Sequence, residues 1–227
     1  MKNVTNPAIR LKFKKFGGLK YISHLDLQRA ILRFIKRAKL PIRYTEGFNP
    51  HPKIVFALTL SVGTESDCEL VDVYLERNPS SPDTPVITPD DFVARLNTVL
   101  PCGLEIADAY YPDRDFQDII SSDYEIILYK NEKICLASML SETMSHPIEI
   151  TKKGKAGEKQ IDIVPLVFKL VSRETEDVLV VRATLSAKQN EYLNPDHFVK
   201  GLLSTDMGQY VDAWQTKRVS INFKEEK

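Results

Sequence analysis

The 227-residue sequence lacks the features that identify several large classes of protein. Nowhere do about eighteen apolar residues run together, and the first residues contain no apolar stretch, so neither a membrane span nor a signal peptide is predicted. Its three cysteines are odd in number and far apart, which indicates reduced thiols and offers no disulfide framework, iron–sulfur cluster or structural zinc site. These absences predict a cytoplasmic protein with no cofactor and no metal.

The common signatures of catalysis are also missing. The sequence contains no glycine-rich nucleotide loop, no His-Glu-x-x-His zinc motif and no Gly-x-Ser-x-Gly nucleophile elbow. Whether the protein is an enzyme is therefore left open by its motifs, and any chemistry would have to come from a less familiar arrangement of side chains.

There is no net charge either, with 31 basic and 31 acidic residues, but the charges are unevenly distributed along the chain. Residues 1–60 hold 13 basic and two acidic residues, a formal charge of +11, whereas residues 61–149 hold five basic and 18 acidic ones, a formal charge of −13. A positive field of this size attracts phosphate backbones, because contacts with them release counterions. The alternative is internal, with the basic part docking on the acidic part.

An amphipathic helix is predicted within the basic segment. Ser23 followed by Asp26 is typical of a helix N-terminus, and Pro41 is expected to end the helix. At 100° per residue, one side of this helix is apolar and the other is charged. The apolar side comprises Leu27, Ala30, Ile31, Phe34, Ile35 and Ala38, and the charged side comprises Asp26, Arg29, Arg33, Lys36 and Arg37. We expect the four cations of this side to bind phosphate groups.

A stiff loop follows the helix, from Tyr44 to Lys53. Its two prolines hold Asn49 and His51 away from α conformations, so the backbone is pre-ordered, and Gly47 is expected to supply a positive φ or a close backbone approach. Imidazole is the side chain that titrates near neutral pH. The candidate catalytic residues are therefore His24, Asp26 and His51, and the candidate nucleic-acid contacts in the loop are Tyr44, Phe48, Asn49 and Lys53.

Three segments of the chain carry a resemblance to a known family. They are Ser23-His24-Leu25-Asp26-x-x-Arg29 (SHLDxxR), Gly47-Phe48-Asn49-Pro50-His51-Pro52-Lys53 (GFNPHPK) and Val62-Gly63-x-x-Ser66-x-x-Glu69. They resemble the bacterial radical-SAM-linked, or radical-SAM-associated, proteins. Members of that family occur as separate chains or joined to a cobalamin-binding radical SAM protein, and the family has no settled biochemical activity. The resemblance implies a bacterial protein with such an enzyme as a partner.

The alternation of residue types predicts an α+β fold. Residues 8–14 form a half-buried strand with Arg10, Lys12 and Lys14 at its outer positions. Further strands at 54–60, 70–76 and 104–110, a proline-rich loop at 78–89 and a helix from Thr88 complete a strand, helix, strand, strand, helix, strand order. The second half repeats this order roughly, with a basic turn at 152–159. The prediction is two tandem ferredoxin-like (βαββαβ) domains with antiparallel sheets, at residues 1–112 and 118–227.

Three functions are compatible with these features. The first is an RNA-binding accessory protein, associated with a radical SAM enzyme, which recognises or presents RNA through the basic helix and the GFNPHPK loop. The second is an RNA-processing or RNA-modifying enzyme that uses His24 or His51 as a general base. The third is a protein-interaction subunit of a radical SAM protein, whose basic helix docks on an acidic surface.

Overall fold

A computed structural model describes residues 8–76, 87–154 and 157–225 of the chain. These residues form a mixed α+β protein with four α-helices in the described ranges and antiparallel strand pairs. The chain divides into two compact units, Met1–Phe116 and Gln117–Lys227. No helix within the described ranges is both long and apolar enough to cross a membrane. The proline-rich loop predicted at residues 78–89 lies mostly outside these ranges.

The first unit has its helices inserted between antiparallel strands. Its strands are β1 (Ala8–Lys15), β2 (Ile54–Phe56), β3 (Thr64–Tyr74) and β4 (Leu104–Tyr110), and its helices are α1 (His24–Arg37) and α2 (Pro89–Asn97). Within the unit, β4 pairs with β1, β1 pairs with β3, and β3 pairs with β2. The sheet order is therefore β4-β1-β3-β2.

Helix α1 begins as its sequence predicts and ends differently. The Ser23 hydroxyl accepts a hydrogen bond from the Asp26 backbone N–H at 3.1 Å, which confirms the predicted N-cap. At the other end Lys39 adopts a left-handed conformation, with φ of 52°. The chain therefore leaves the helix before it reaches Pro41, and the expectation that the proline ends the helix is wrong.

One face of the first sheet carries the core. The buried side chains of α1 are Leu27, Ile31 and Ile35, and they join a cluster that includes Ile9, Leu11, Phe13, Val71 and Val73 from β1 and β3. Each such aliphatic side chain contributes about 1.5–3 kcal/mol when fully buried. Phe34, predicted on the buried side, is only partly buried at the edge of this cluster.

The second unit repeats this alternation around its own core. Its strands are β5 (Ile119–Lys130), β6 (Glu149–Gly154), β7 (Gly157–Asp162), β8 (Val167–Glu174), β9 (Val178–Ser186) and β10 (Val211–Phe223), and its helices are α3 (Leu136–Thr143) and α4 (Pro195–Leu203). The main sheet has the order β10-β5-β9-β8. Strands β6 and β7 pair with each other, so the described residues 152–154 and 157–159 of the predicted basic turn lie in paired strands.

Candidate functional site

The charged side of α1 is exposed, as predicted. Asp26, Arg29, Arg33, Lys36 and Arg37 all face solvent. Arg29 donates to the Asp26 carboxylate at 3.1 Å, so its charge is partly neutralised. Hydrogen bonds from Ser23 and then Arg29 lower the pKa of Asp26, so this candidate catalytic carboxyl stays ionised near neutral pH and is a poor general acid.

Three cations of α1 keep their charge available for a ligand. Within the described ranges no ion pair engages Arg33, Lys36 or Arg37. The Lys36 ammonium lies 5.8 Å from the centre of the Tyr44 ring, which is itself exposed. We call Arg33, Lys36, Arg37 and Tyr44 the cationic surface.

The loop beside this surface is rigid at its base and open at its tip. Thr45 and His51 exchange bonds, because the Thr45 N–H donates to the His51 carbonyl at 2.8 Å and the His51 N–H donates to the Thr45 hydroxyl at 3.1 Å. Gly47 has a φ of 127°, a conformation that L side chains rarely adopt, which confirms the predicted positive φ. Phe48 at the tip is fully exposed. An aromatic ring on a closed loop loses little entropy on binding.

Other predicted contacts lie on the flanks of the loop. Asn49 and His51 are exposed at the tip and base. The Lys53 ammonium lies 4.3 Å from the centre of the Tyr74 ring, so it is only partly available. Burial and then the nearby Asp72 carboxylate raise the pKa of Tyr74, which keeps this phenol neutral under the lysine.

A second group of polar residues lies under the start of α1. Lys15 and Glu69 are almost fully buried, at 1% and 2% exposure, on strands that carry the apolar core elsewhere. Glu69 pairs across the sheet with the core residue Phe13, and Lys15 pairs with buried Ser66. Burying a charge costs several kcal/mol per ion, so buried charged side chains seldom stabilise a fold. They are more often found at functional sites. We call Lys15, His24, Ser66 and Glu69 the polar cluster.

His24 is held at the surface of the polar cluster. Its ring packs edge-on against Phe56, with centroids 5.2 Å apart, and its Nε2 atom lies 3.1 Å from the Gln28 amide nitrogen. Burial lowers the pKa of His24; the Glu69 carboxylate opposes this shift and the Lys15 ammonium adds to it. His24 is therefore neutral near pH 7, because its pKa lies below the ordinary value of about 6.5.

The two signature segments lie beside different parts of β3. The Tyr74 N–H donates to the Lys53 carbonyl at 3.1 Å, which anchors the loop at one end of the strand. Glu69, whose charge acts on His24, lies five residues earlier in β3. At a rise of roughly 3.4 Å per residue these positions are about 17 Å apart. The polar cluster and the base of the loop therefore lie at different points along β3.

The outer positions of β1 differ from the prediction. Arg10 was expected to be an exposed cation, yet it is 2% exposed. Its guanidinium donates to both Asp72 carboxylate oxygens, at 2.7 and 2.9 Å, and stacks 4.0 Å from the centre of the Phe116 ring. Lys14 pairs with Glu105 at 3.0 Å. These pairs show that part of the basic segment is neutralised by acidic residues of the same unit.

Sequence patterns gave no role to Lys15 or Gln28 and identified Ser66 only as part of a family segment. The alternation of β1 could have identified Lys15, because it continues the apolar positions Leu11 and Phe13 and so falls on the core side. Helical spacing could have identified Gln28, because it lies four residues after His24 and so on the same side of α1. No group of three histidine, cysteine or carboxylate side chains able to hold a metal ion occurs in the described ranges.

Comparison with known proteins gives one positive result. No curated protein matches the chain. Residues 8–195, well over half of the sequence, match a family described as an uncharacterized protein conserved in bacteria (DUF2344). The match includes all of the cationic surface, the loop and the polar cluster. The chain therefore belongs to this family of uncharacterized proteins conserved in bacteria.

Proposed function

We propose that this protein binds single-stranded RNA through the cationic surface and the loop of its first unit. One observation carries the proposal. Arg33, Lys36 and Arg37 are exposed and make no ion pair within the described residues. The Lys36 ammonium lies 5.8 Å from the centre of the exposed Tyr44 ring, at the start of the loop that presents Phe48. Cations that the fold does not use for its own stability are free to contact phosphates.

The chemistry of this surface favours unpaired over paired RNA. Phosphate contacts supply affinity without sequence preference, and each one releases counterions. Stacking of a base on an aromatic ring is worth about 1–3 kcal/mol, and it needs a base face that a duplex hides. A fully exposed Phe48 on a closed loop, together with Tyr44 under Lys36, offers such stacking faces.

The first experiment removes the charges and measures the salt dependence of binding. The triple variant Arg33→Gln, Lys36→Gln, Arg37→Gln should flatten the slope of log affinity against log salt by about 2 for a 12-nucleotide single strand, because each contact contributes about 0.7. A matched control removes three exposed cations of the second unit, Lys133, Lys159 and Lys188, in the same way. Equal slopes for the two triple variants would refute this binding surface.

The second experiment tests stacking separately from charge. Phe48→Ala should weaken binding of the same strand by roughly 5- to 100-fold, the equivalent of 1–3 kcal/mol, and leave the salt slope unchanged. Phe168→Ala is the control, because Phe168 is an exposed ring of the second unit with Lys188 above it. Unchanged affinity in the Phe48 variant would show that no base stacks on Phe48, and the loop would then contribute no stacking through this ring.

We propose further that the RNA-bound protein works beside a cobalamin-binding radical SAM enzyme. The support is the resemblance of the SHLDxxR and GFNPHPK segments to radical-SAM-linked proteins. Affinity capture from a bacterial extract, with and without nuclease, tests the partnership. A radical SAM protein retained only in the presence of RNA supports the RNA-binding role. One retained after nuclease treatment supports the alternative of a protein-interaction subunit.

A second candidate function is RNA processing or modification. The buried charges of the polar cluster beneath His24 favour it, because ionisable groups in low-dielectric surroundings are typical of catalytic sites. If His24 or His51 were the general base, the corresponding alanine variant would still bind RNA and would form no product. Analysis of RNA incubated with the wild-type protein decides the question, since an unchanged strand excludes this function for that substrate.

The proposal includes a fold assignment. We infer that each unit is a ferredoxin-like domain, in agreement with the expected βαββαβ order. The sheet orders β4-β1-β3-β2 and β10-β5-β9-β8 support it, because both follow the same antiparallel pattern with a helix in each crossover. In the second unit the β6–β7 hairpin is an insertion after α3.

A further inference from the structure

The hydrogen bond between Gln28 and His24 determines which ring nitrogen of His24 can donate a hydrogen bond to a ligand. The Gln28 amide nitrogen lies 3.1 Å from His24 Nε2, and an amide NH₂ group can only donate a hydrogen bond. Nε2 must therefore accept, which leaves the ring proton of neutral His24 on Nδ1. Within the described residues no hydrogen bond to Nδ1 is present. A ligand can accept from this N–H, whereas the lone pair needed by a general base is already occupied.

The surroundings of His24 suit an uncharged ligand with an apolar face. The charges of Lys15 and Glu69 both act on the ring, and the carboxylate of Glu69, the stronger of the two there, disfavours an anionic ligand. Exposed apolar side chains lie near His24 in the chain, since Tyr21 and Leu25 flank the start of α1. The Gly63 N–H donates to the Lys20 carbonyl at 2.8 Å, which joins the segment that carries exposed Val62 to the residues before α1. A flat base has an apolar face and uncharged acceptors.

We propose that His24 donates a hydrogen bond from Nδ1 to an acceptor on an unpaired nucleobase, with Gln28 as the positioning residue that fixes its tautomer. This inference rests on the proposed RNA-binding function and replaces the expectation that His24 is a general base. Along α1, at a rise of 1.5 Å per residue, Lys36 lies about 18 Å from His24, which corresponds to about five nucleotides at the 3.4 Å spacing of a duplex strand. One strand of twelve nucleotides is therefore long enough to reach from the cationic surface to His24.

The first test needs no ligand. Nitrogen-15 labelling of the histidine rings in the full chain distinguishes protonated from unprotonated ring nitrogens, and His24→Gln identifies the signals of His24 among the four histidines. We expect the Nδ1–H tautomer in the wild-type protein and a protonation midpoint below 6.5. Wild-type protein with the proton on Nε2 would overturn the proposal.

Two variants test whether Gln28 is responsible for the tautomer. Gln28→Ala should release the ring so that the proportion of the Nε2–H tautomer rises, and alanine retains the helix because of its high propensity. Gln28→Glu should invert the tautomer, because a carboxylate can only accept. Gln160→Ala, at an exposed position of β7, is the control with the same chemical change. A wild-type tautomer in both Gln28 variants would overturn the assigned role of Gln28.

The second test uses a 12-nucleotide oligo(U) and an abasic strand of the same length. Both carry the phosphates that should shift the backbone signals of Lys36 and Arg37, but only oligo(U) carries base acceptors. The proposal expects the His24 ring signals to shift with oligo(U) alone. Equal shifts of the His24 ring signals with both strands would mean that His24 binds phosphate. Unchanged His24 signals together with shifted Lys36 and Arg37 signals would mean that His24 contacts no RNA. Either result overturns the proposal. If neither strand shifts any signal, the RNA-binding function itself fails, and the base contact fails with it.

Discussion

The buried pair of Arg10 and Asp72 should carry more stability than any exposed ion pair of the first unit. Asp72→Asn keeps the size of the side chain and removes the charge that faces Arg10. Although burial alone would lower the pKa of Arg10, the bonds and charge of Asp72 raise it, so the guanidinium is fully charged. In the variant this cation would remain 2% exposed under the Phe116 ring after losing the carboxylate that lies 2.7 Å away, and the weaker effect of the Asp113 charge would still act on it.

The expected cost follows from that geometry. Removing one partner of a buried ion pair costs about 3–5 kcal/mol, because the other charge is left without compensation. The neighbouring pair of Lys14 and Glu105 is a matched control on the same strand, at 3.0 Å but with side chains 38% and 48% exposed. Glu105→Gln should cost about 1 kcal/mol or less. Replacing both buried partners, as Arg10→Met with Asp72→Leu, should restore most of the lost stability.

The assay has to report on the first unit alone. The one tryptophan, Trp214, is in β10, so its fluorescence follows the second unit. Amide hydrogen exchange of β1 and β3 follows the first. We expect Asp72→Asn to reduce the protection of these amides by roughly 150- to 5,000-fold, the equivalent of about 3–5 kcal/mol. Protection equal to that of Glu105→Gln would refute the argument, because it would mean that water already reaches Arg10.

Three further outcomes are expected. His51→Ala should weaken RNA binding and leave the melting temperature unchanged, because its side chain is exposed; a lower melting temperature with normal binding would make the loop histidine structural. Ile31→Ala should cost about 2–5 kcal/mol in a denaturant titration and Phe34→Ala distinctly less, since only Ile31 is fully buried; the reverse order would mean that the helix faces are misassigned. Burial raises the pKa of Glu174, but hydrogen bonds from Lys130 and the backbone outweigh this effect and lower it. The stability that this carboxylate contributes is therefore present above its unfolded pKa of about 4.3 and is lost as pH falls through its folded pKa. Glu174→Gln should make the free energy of unfolding less dependent on pH in acid.

Local patterns were sufficient to predict the helices that begin with a cap. Ser23 with Asp26 identified the start of α1, and Thr88 with Asp91 forms a full capping box at the start of α2. Both signals depend on residues three apart in the sequence, so no tertiary information is needed to find them. The exposed side of α1 could be predicted for the same reason, because the helical period alone places Arg33 and its neighbours.

Charge along the chain was a poor guide to charge in space. Residues 1–116 contain 16 basic and 14 acidic residues, so the first unit has a formal charge of only +2 although its first 60 residues carry +11. Strand pairing brings Asp72 to Arg10 and Glu105 to Lys14. These pairs depend on the register of the strands, because their members are 62 and 91 positions apart in the sequence. A sequence pattern does not contain that register, which is why Arg10 was expected on the surface.

The cationic surface and the polar cluster lie apart in the first unit, so one small unit can carry both a binding surface and a set of buried charges. At the loop end, Lys36 and Phe48 are exposed and can be changed with little cost to stability, so their chemistry is available to a ligand. Lys15 and Glu69 of the polar cluster are instead buried on the core face, where a change of charge costs several kcal/mol. Sites more than about 10 Å apart with no shared partner act independently on stability. The cationic surface can therefore vary in sequence without disturbing the polar cluster, whereas changes in the polar cluster affect folding and the setting of His24 together.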